Sequence, residues 1–416
     1  MGTKTGYRRT VAENQHINDS WTPEGCSPLH VWTLVRHGSR YSGDDSIQMM
    51  IDDLPQLRDR ILASESNKLC SIDQELLKYW AVDPDLTPDL DKNLHPEGEL
   101  EMELMGQRYG QRFPKLLGEY EDSKFRMRAT YKLRAQQSGE SFINGLWSED
   151  VASEAKIEVL DGGDPLIKFY DFCTAWEEQV DNNDSAKIEV QYFKESETMK
   201  SVQLSLSSLL GVNITMDDME LMHDMCRFDL MWTPNKISPW CRVFSDDDLE
   251  IIEYAKDLKS YWEDGPGYNL NYDQACVLGK DMWDIFNNVI NGDDSTTGTL
   301  YFSHSGATQK FLAFLQLFVD EDDLRSDNFE QMKDRKWKTS QHVPMANNIA
   351  FVLQECGEED YKIGLFLNEQ LVQVPGCNED WCPMETFIDL YPQIKGCDFN
   401  KACGIDNPSM DYVYET

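Results

Sequence analysis

Apolar positions fall into two regimes along the chain. Val31-Trp32-Thr33-Leu34-Val35 is a short run of β-favouring residues that stops at Arg36-His37-Gly38, which predicts a buried strand ending in a polar loop. Residues 125–129 and 299–303 repeat the signal, the second ending at His304. Residues 363–366 and 371–374 flank Asn368-Glu369, the pattern of a hairpin. Elsewhere the period is helical, over 53–65, 95–112, 135–147, 216–228, 246–263, 273–291 and 307–319. In the fifth of these, Ile251, Ala255, Leu258 and Trp262 form one apolar face. Residues 150–200 have no clean period. Strands at both ends with helices between them predict an α/β domain formed from residues 1–134 and 290–416, interrupted by a mainly helical insertion at 135–289.

Charge narrows the function classes. The 416 residues carry 38 Lys+Arg against 75 Asp+Glu, a net −37 that repels nucleic acid and anionic membranes. An anionic ligand would need a local basic pocket. No run of 18 apolar residues occurs, so no transmembrane segment is expected, and nothing in the pattern sets an oligomeric state. Eleven cysteines suit an oxidising compartment. Cys377, Cys382, Cys397 and Cys403 cluster among acidic and aromatic residues without His, which favours disulfides over zinc, and the odd total leaves one thiol over. Asn18 and Asn213 head glycosylation sequons. These features predict a secreted or secretory-lumen protein whose leader is absent from this sequence. The last residues, Val413-Tyr414-Glu415-Thr416, are no retention signal.

Arg36, His37 and Arg40 follow a predicted strand, where open α/β sheets gather ligands. Two guanidiniums around an imidazole suit a tetrahedral oxyanion, because Arg offers planar forks of donors and neutral His is a nucleophile. Taken alone, the same residues also fit two surface arginines and a satisfied loop histidine.

Arg36-His37-Gly38-Ser39-Arg40 with a distant His304 resembles the Arg-His-Gly-x-Arg signature of branch-two histidine phosphatases. Gly2 to Tyr7, the segment from Arg134 to Leu146, Ser238-Pro239-Trp240-Cys241, Trp337 to Ser340 and Cys382-Pro383 are similar, in order, to the multiple inositol polyphosphate phosphatases among them. The resemblance implies a three-layer core around a central mixed, mostly parallel sheet. It makes His37 the nucleophile that forms a phosphohistidine, Arg36, Arg40 and Arg134 the phosphate clamp, and His304 a donor to a phosphoryl oxygen. It calls for no cofactor or metal, and its partner is a small phosphorylated substrate, an inositol polyphosphate or related ester.

One departure stands out. The family carries an acid just after the distant histidine to protonate the leaving oxygen, and here the residues are Ser305-Gly306. Neither is a comparable general acid. Asp44 and Asp45, just past the first motif, and Glu97, in the loop before the next predicted helix, are candidate substitutes, each of which equally fits a solvated surface acid. Without one, the expectation shifts to a slow enzyme, or to a secreted protein that binds a phosphoester or serves structurally without useful turnover.

Overall fold

The computed structural model describes residues 1–8, 10 and 22–405; the Asn18 sequon and the final residues fall outside them. Its sheet has the order β2-β3-β1-β4-β5-β6, with β7 paired to β5. The strands are β1 (Ser27–Arg36), β2 (Phe125–Ala129), β3 (Gly298–Ser303), β4 (Asn348–Gly357), β5 (Asp360–Leu367), β6 (Gln370–Val372) and β7 (Trp381–Pro383). The α/β class holds, and the sheet is mixed. Its parallel part is limited to β2, β3 and β1, whereas β4 to β7 pair antiparallel, a larger antiparallel share than a mostly parallel sheet would have. Hairpin connections explain this. Asn368 and Glu369 take φ of 48° and 64° between β5 and β6, so two residues reverse the chain where a parallel pairing would need a long crossover.

Alternation in the strands fills two faces. Trp32, Leu34, Tyr301 and Phe351 pack on Leu278, Met282 and Phe286 of the helix Cys276–Asn291 and on Phe311 and Leu312 of the helix Ser305–Phe314. Val31, Val35, Leu300 and Phe302 point the other way, onto Met102, Met105 and Tyr109 of Pro96–Arg112 and Phe142 of Leu133–Leu146. Helix, sheet and helix make three layers. A separate apolar cluster joins Met50, Leu54 and Leu57 of the helix Asp44–Ala63 to Met222 and Phe228 of Met216–Trp232 and to Ile252 and Leu258 of Asp246–Glu263. Leu133–Leu146 therefore lies against the sheet, while Asp44–Ala63 lies with the later helices.

One boundary differs from the periodicity. The first long helix starts at Asp44 rather than 53 and runs through Pro55, with Asp44 and Asp45 as first-turn acids. In Pro96–Arg112 the inward face is Gly98, Glu101, Met102, Met105 and Tyr109, and Leu100 is exposed.

Three disulfides tie distant segments together, Cys26–Cys356, Cys173–Cys403 and Cys276–Cys397, and two close local loops, Cys226–Cys241 and Cys377–Cys382. All four tail cysteines are bonded, and the thiol left over is the exposed Cys70. Among the described residues no helix is long and apolar enough to cross a membrane.

Candidate active site

Register brings the motifs together. Arg36 of β1 lies opposite Ser303 of β3, and Ala129 of β2 opposite Phe302, so three parallel strands end at one level. The His37 N–H donates to the Ser303 carbonyl at 3.0 Å and the Thr130 N–H to that of Phe302 at 3.1 Å. Residues far apart in sequence thus leave the sheet side by side, at the carboxyl ends where such sheets bind ligands.

His37 is buried, and its Nδ1 lies 2.9 Å from the Gly38 carbonyl. A carbonyl only accepts, so Nδ1 carries the proton and Nε2 keeps its lone pair. Burial, then Arg134, Arg36, His304 and Arg40, hold the imidazole well below its ordinary pKa. It is neutral, and therefore nucleophilic, at neutral pH. His304 sits next to it with ring centroids 5.4 Å apart. Its Nε2 meets the Thr130 hydroxyl at 2.9 Å and its Nδ1 meets an Arg134 nitrogen at 3.4 Å. Since Arg only donates, Nδ1 accepts there. Donation from His304 to a phosphoryl oxygen requires one of these two contacts to open.

The three arginines lack acidic partners. Arg36 is anchored by donating to the carbonyls of Thr3, Val343 and Pro344, and Arg40 to that of Tyr41. The Nε atoms of Arg36 and Arg134 are buried without a hydrogen-bond partner. Among the described residues, none of the three is ion-paired, although the chain has 75 acids. Buried donors left open are costly unless a ligand fills them. Burial, then Arg40 and Arg134, draw Arg36 down to about 9, so it stays a cation at neutral pH.

The support beneath this pocket comes from outside the Arg-His-Gly-x-Arg motif. Glu101 accepts from the Ser39 N–H at 2.8 Å, the Ser39 hydroxyl at 2.9 Å and the Tyr7 N–H at 2.9 Å. Ser138, accepting from the Gly38 N–H at 3.0 Å, ties the same loop to the helix that carries Arg134. The loop also rests directly on the next helix: a Cβ on Gly38 would strike the Gly98 carbonyl, and one on Gly98 the Ser39 backbone. A sequence signal for Glu101 did exist, an acid on the apolar face shared by Met105 and Tyr109.

Asp44 and Asp45 are exposed at a helix start, and Glu97 pairs with Arg8 at 3.0 Å. A cleft of about 310 Å³ beside His304 is lined by Arg134, Lys168, Tyr170, Asp264 and Gly306 among others, and by none of those three acids.

The sequence pattern of the histidine phosphatase superfamily (branch 2) matches residues 29–368. The chain belongs to that family. Branch-two relatives include the multiple inositol polyphosphate phosphatase 1 of Drosophila melanogaster, 28% identical over 412 residues, covering 96% of this chain and 86% of that one. The Gallus gallus protein of the same name is 29% identical, covering 97% and 92%. In structure the chain is similar to the phytase from D. castellii, with TM-score 0.74 at 17% identity over 92% of this chain and 83% of that one. Multiple inositol polyphosphate phosphatase of Bifidobacterium longum, in complex with inositol hexasulfate, gives 0.65 at 16%, over 91% and 95%. Fold and family together are those of a histidine-phosphatase-type hydrolase.

Proposed function

We propose that the protein hydrolyses phosphomonoesters through a phosphohistidine on His37, and that its substrates carry several phosphates, as inositol polyphosphates do. The observation that carries this reading is the convergence of Arg36, Arg40 and Arg134, all unpaired with acids, around a neutral His37 in a strongly acidic chain. Charge on the equatorial oxygens of a transferring phosphoryl group is held by such fixed donors, and His37 Nε2 supplies the electron pair. Water then releases phosphate and regenerates His37.

Further cations favour a polyphosphate. On the Arg40 side, burial and then the neighbouring Arg227 lower the proton affinity of Lys4 and of Lys256, and Arg227 acts also on Arg40. On the other side, Lys168 and Lys132 act on His304. The names of the relatives point the same way. The disulfides fit an oxidising, secretory or extracellular setting, and the exposed Asn213 is open to glycosylation there.

Ser305-Gly306 at the start of the helix after His304 supports the second reading, a binding protein with little turnover. Phosphate release from inositol hexakisphosphate and 4-nitrophenyl phosphate, compared with His37→Ala, decides between them. Release by the wild type that vanishes in the variant supports the enzyme. Calorimetric binding without release supports the binder.

A further inference from the structure

An alkyl phosphate leaves as an alkoxide unless something protonates it, and the residues after His304 offer no acid. The space in front of Gly306 is nevertheless occupied. A Cβ built there would lie 3.4 Å from Asp264 Oδ1 and 3.2 Å from the Tyr170 ring. Asp264 reaches this point from just beyond the helix Asp246–Glu263 and faces the same cleft as Arg134 and His304. Its charge is also felt by Arg36.

Both oxygens of Asp264 are held by the helix that His304 begins. The Lys310 ammonium donates to Oδ1, and the Gln309 amide donates to Oδ2 at 3.3 Å. Gln309 is itself fixed by Ser260. The Lys310 side chain is wholly buried, 4.1 Å from the Trp176 ring centroid and 5.3 Å from that of Tyr170. Glu263 and Asp181 line the cleft as well, but Glu263 is turned to Lys187 and Lys259, each at 3.7 Å. Asp264 is the acid whose oxygen meets Gly306.

We infer that Asp264, coupled to Lys310, is the proton donor to the leaving oxygen, a role that rests on the phosphohistidine reading above. In the first step the His37–phosphorus bond forms as the ester P–O bond breaks. The electron pair of that bond stays on the leaving oxygen; the Lys310 ammonium passes its proton to the Asp264 carboxylate, which hands it to that oxygen, so Lys310 ends neutral and Asp264 ends as the carboxylate it began as. In the second step water oxygen bonds to phosphorus as the N–P bond breaks, and Asp264 and Lys310 recover the proton that water sheds. Lys310 is suited to give up a proton, since burial lowers its pKa and the acids around it, Asp264, Glu263 and Asp181, only partly oppose that.

The test is leaving-group dependence in the full chain. Asp264→Asn should lower kcat/KM for an alkyl phosphate by roughly 10²-fold or more, the usual size of a general-acid effect. For 4-nitrophenyl phosphate, whose leaving oxygen is stable as an anion, the loss should be far smaller. Lys310→Met, which adds no buried charge, gives a second measurement. With the relay proton gone, the alkaline limb of the alkyl-ester pH profile should move to lower pH, while the 4-nitrophenyl profile keeps its limb. Equal losses on both esters in Asp264→Asn, no loss on the alkyl ester, or an unmoved limb in Lys310→Met would overturn the role of Asp264 while leaving the phosphatase reading intact. Failure of the wild type to hydrolyse either ester would overturn that reading and this role together.

Discussion

Glu101 lies directly beneath Ser39, its two oxygens taking both the N–H and the hydroxyl of the residue between Gly38 and Arg40. Burial raises the Glu101 carboxyl from 4.5 to about 7, against the pull of those hydrogen bonds. A carboxyl with a raised folded pKa binds its proton more tightly when folded. Its stabilising contribution is complete below pH 4.5 and is lost as pH rises through 7, a change on the order of 3 kcal/mol. Urea unfolding of the wild type and Glu101→Gln at pH 5 and pH 8 checks this. The difference in stability between the two proteins should be larger at pH 5 than at pH 8. An unchanged difference would show that Glu101 does not titrate there.

Arg134 is the largest charged influence on His37. Removing a cation beside an imidazole favours its protonated form, so Arg134→Gln should raise the His37 pKa. The acid limb of kcat/KM on 4-nitrophenyl phosphate should then move to higher pH. Loss of a charged donor should also weaken phosphate binding roughly tenfold or more. A pH profile and phosphate inhibition constants measure both, and an unmoved limb would separate Arg134 from His37.

Lys4 carries the polyphosphate reading in a form that one substitution can test. Lys4→Ala should raise KM for inositol hexakisphosphate several-fold, on the scale of about 1 kcal/mol for one lost charged contact, and leave KM for 4-nitrophenyl phosphate nearly unchanged. Similar changes on both substrates would place Lys4 in support of Arg40 and not under a second phosphate.

The cysteine pairings make a chemical prediction. Alkylation of the native protein without reductant should label Cys70 alone. Digestion should then release linked peptides joining 26 to 356, 173 to 403, 226 to 241, 276 to 397 and 377 to 382. Labelling of any other cysteine at high occupancy would contradict the pairings.

Strand positions were legible because a buried strand is a local composition signal: Val31 to Val35, 125–129 and 299–303 all lie in the sheet. The pocket motif was legible because Arg-His-Gly-x-Arg packs its chemistry into five adjacent residues. Partnerships were not legible. Cys403 sits six residues from Cys397 in sequence, yet they bond to Cys173, between two short helices, and to Cys276, at the start of a long one. Asp264 was hidden for a similar reason. One acid among 75 becomes informative only when the fold shows which donors it faces. The first long helix starts at Asp44, ahead of the 53–65 period, because tertiary packing of Met50, Leu54 and Leu57 carries it across Pro55.

Gly38 and Gly98 close on each other so tightly that neither tolerates even a methyl group. In a saturation library the two positions should behave as a single locus. A single change at one cannot be offset by shrinking the other, which is already at the minimum size. Substitutions at either site should therefore remove the arginine clamp through the backbone while leaving every charged residue of the pocket in place. In a deep mutational scan that would make position 98, which carries no reactive group, as intolerant as His37.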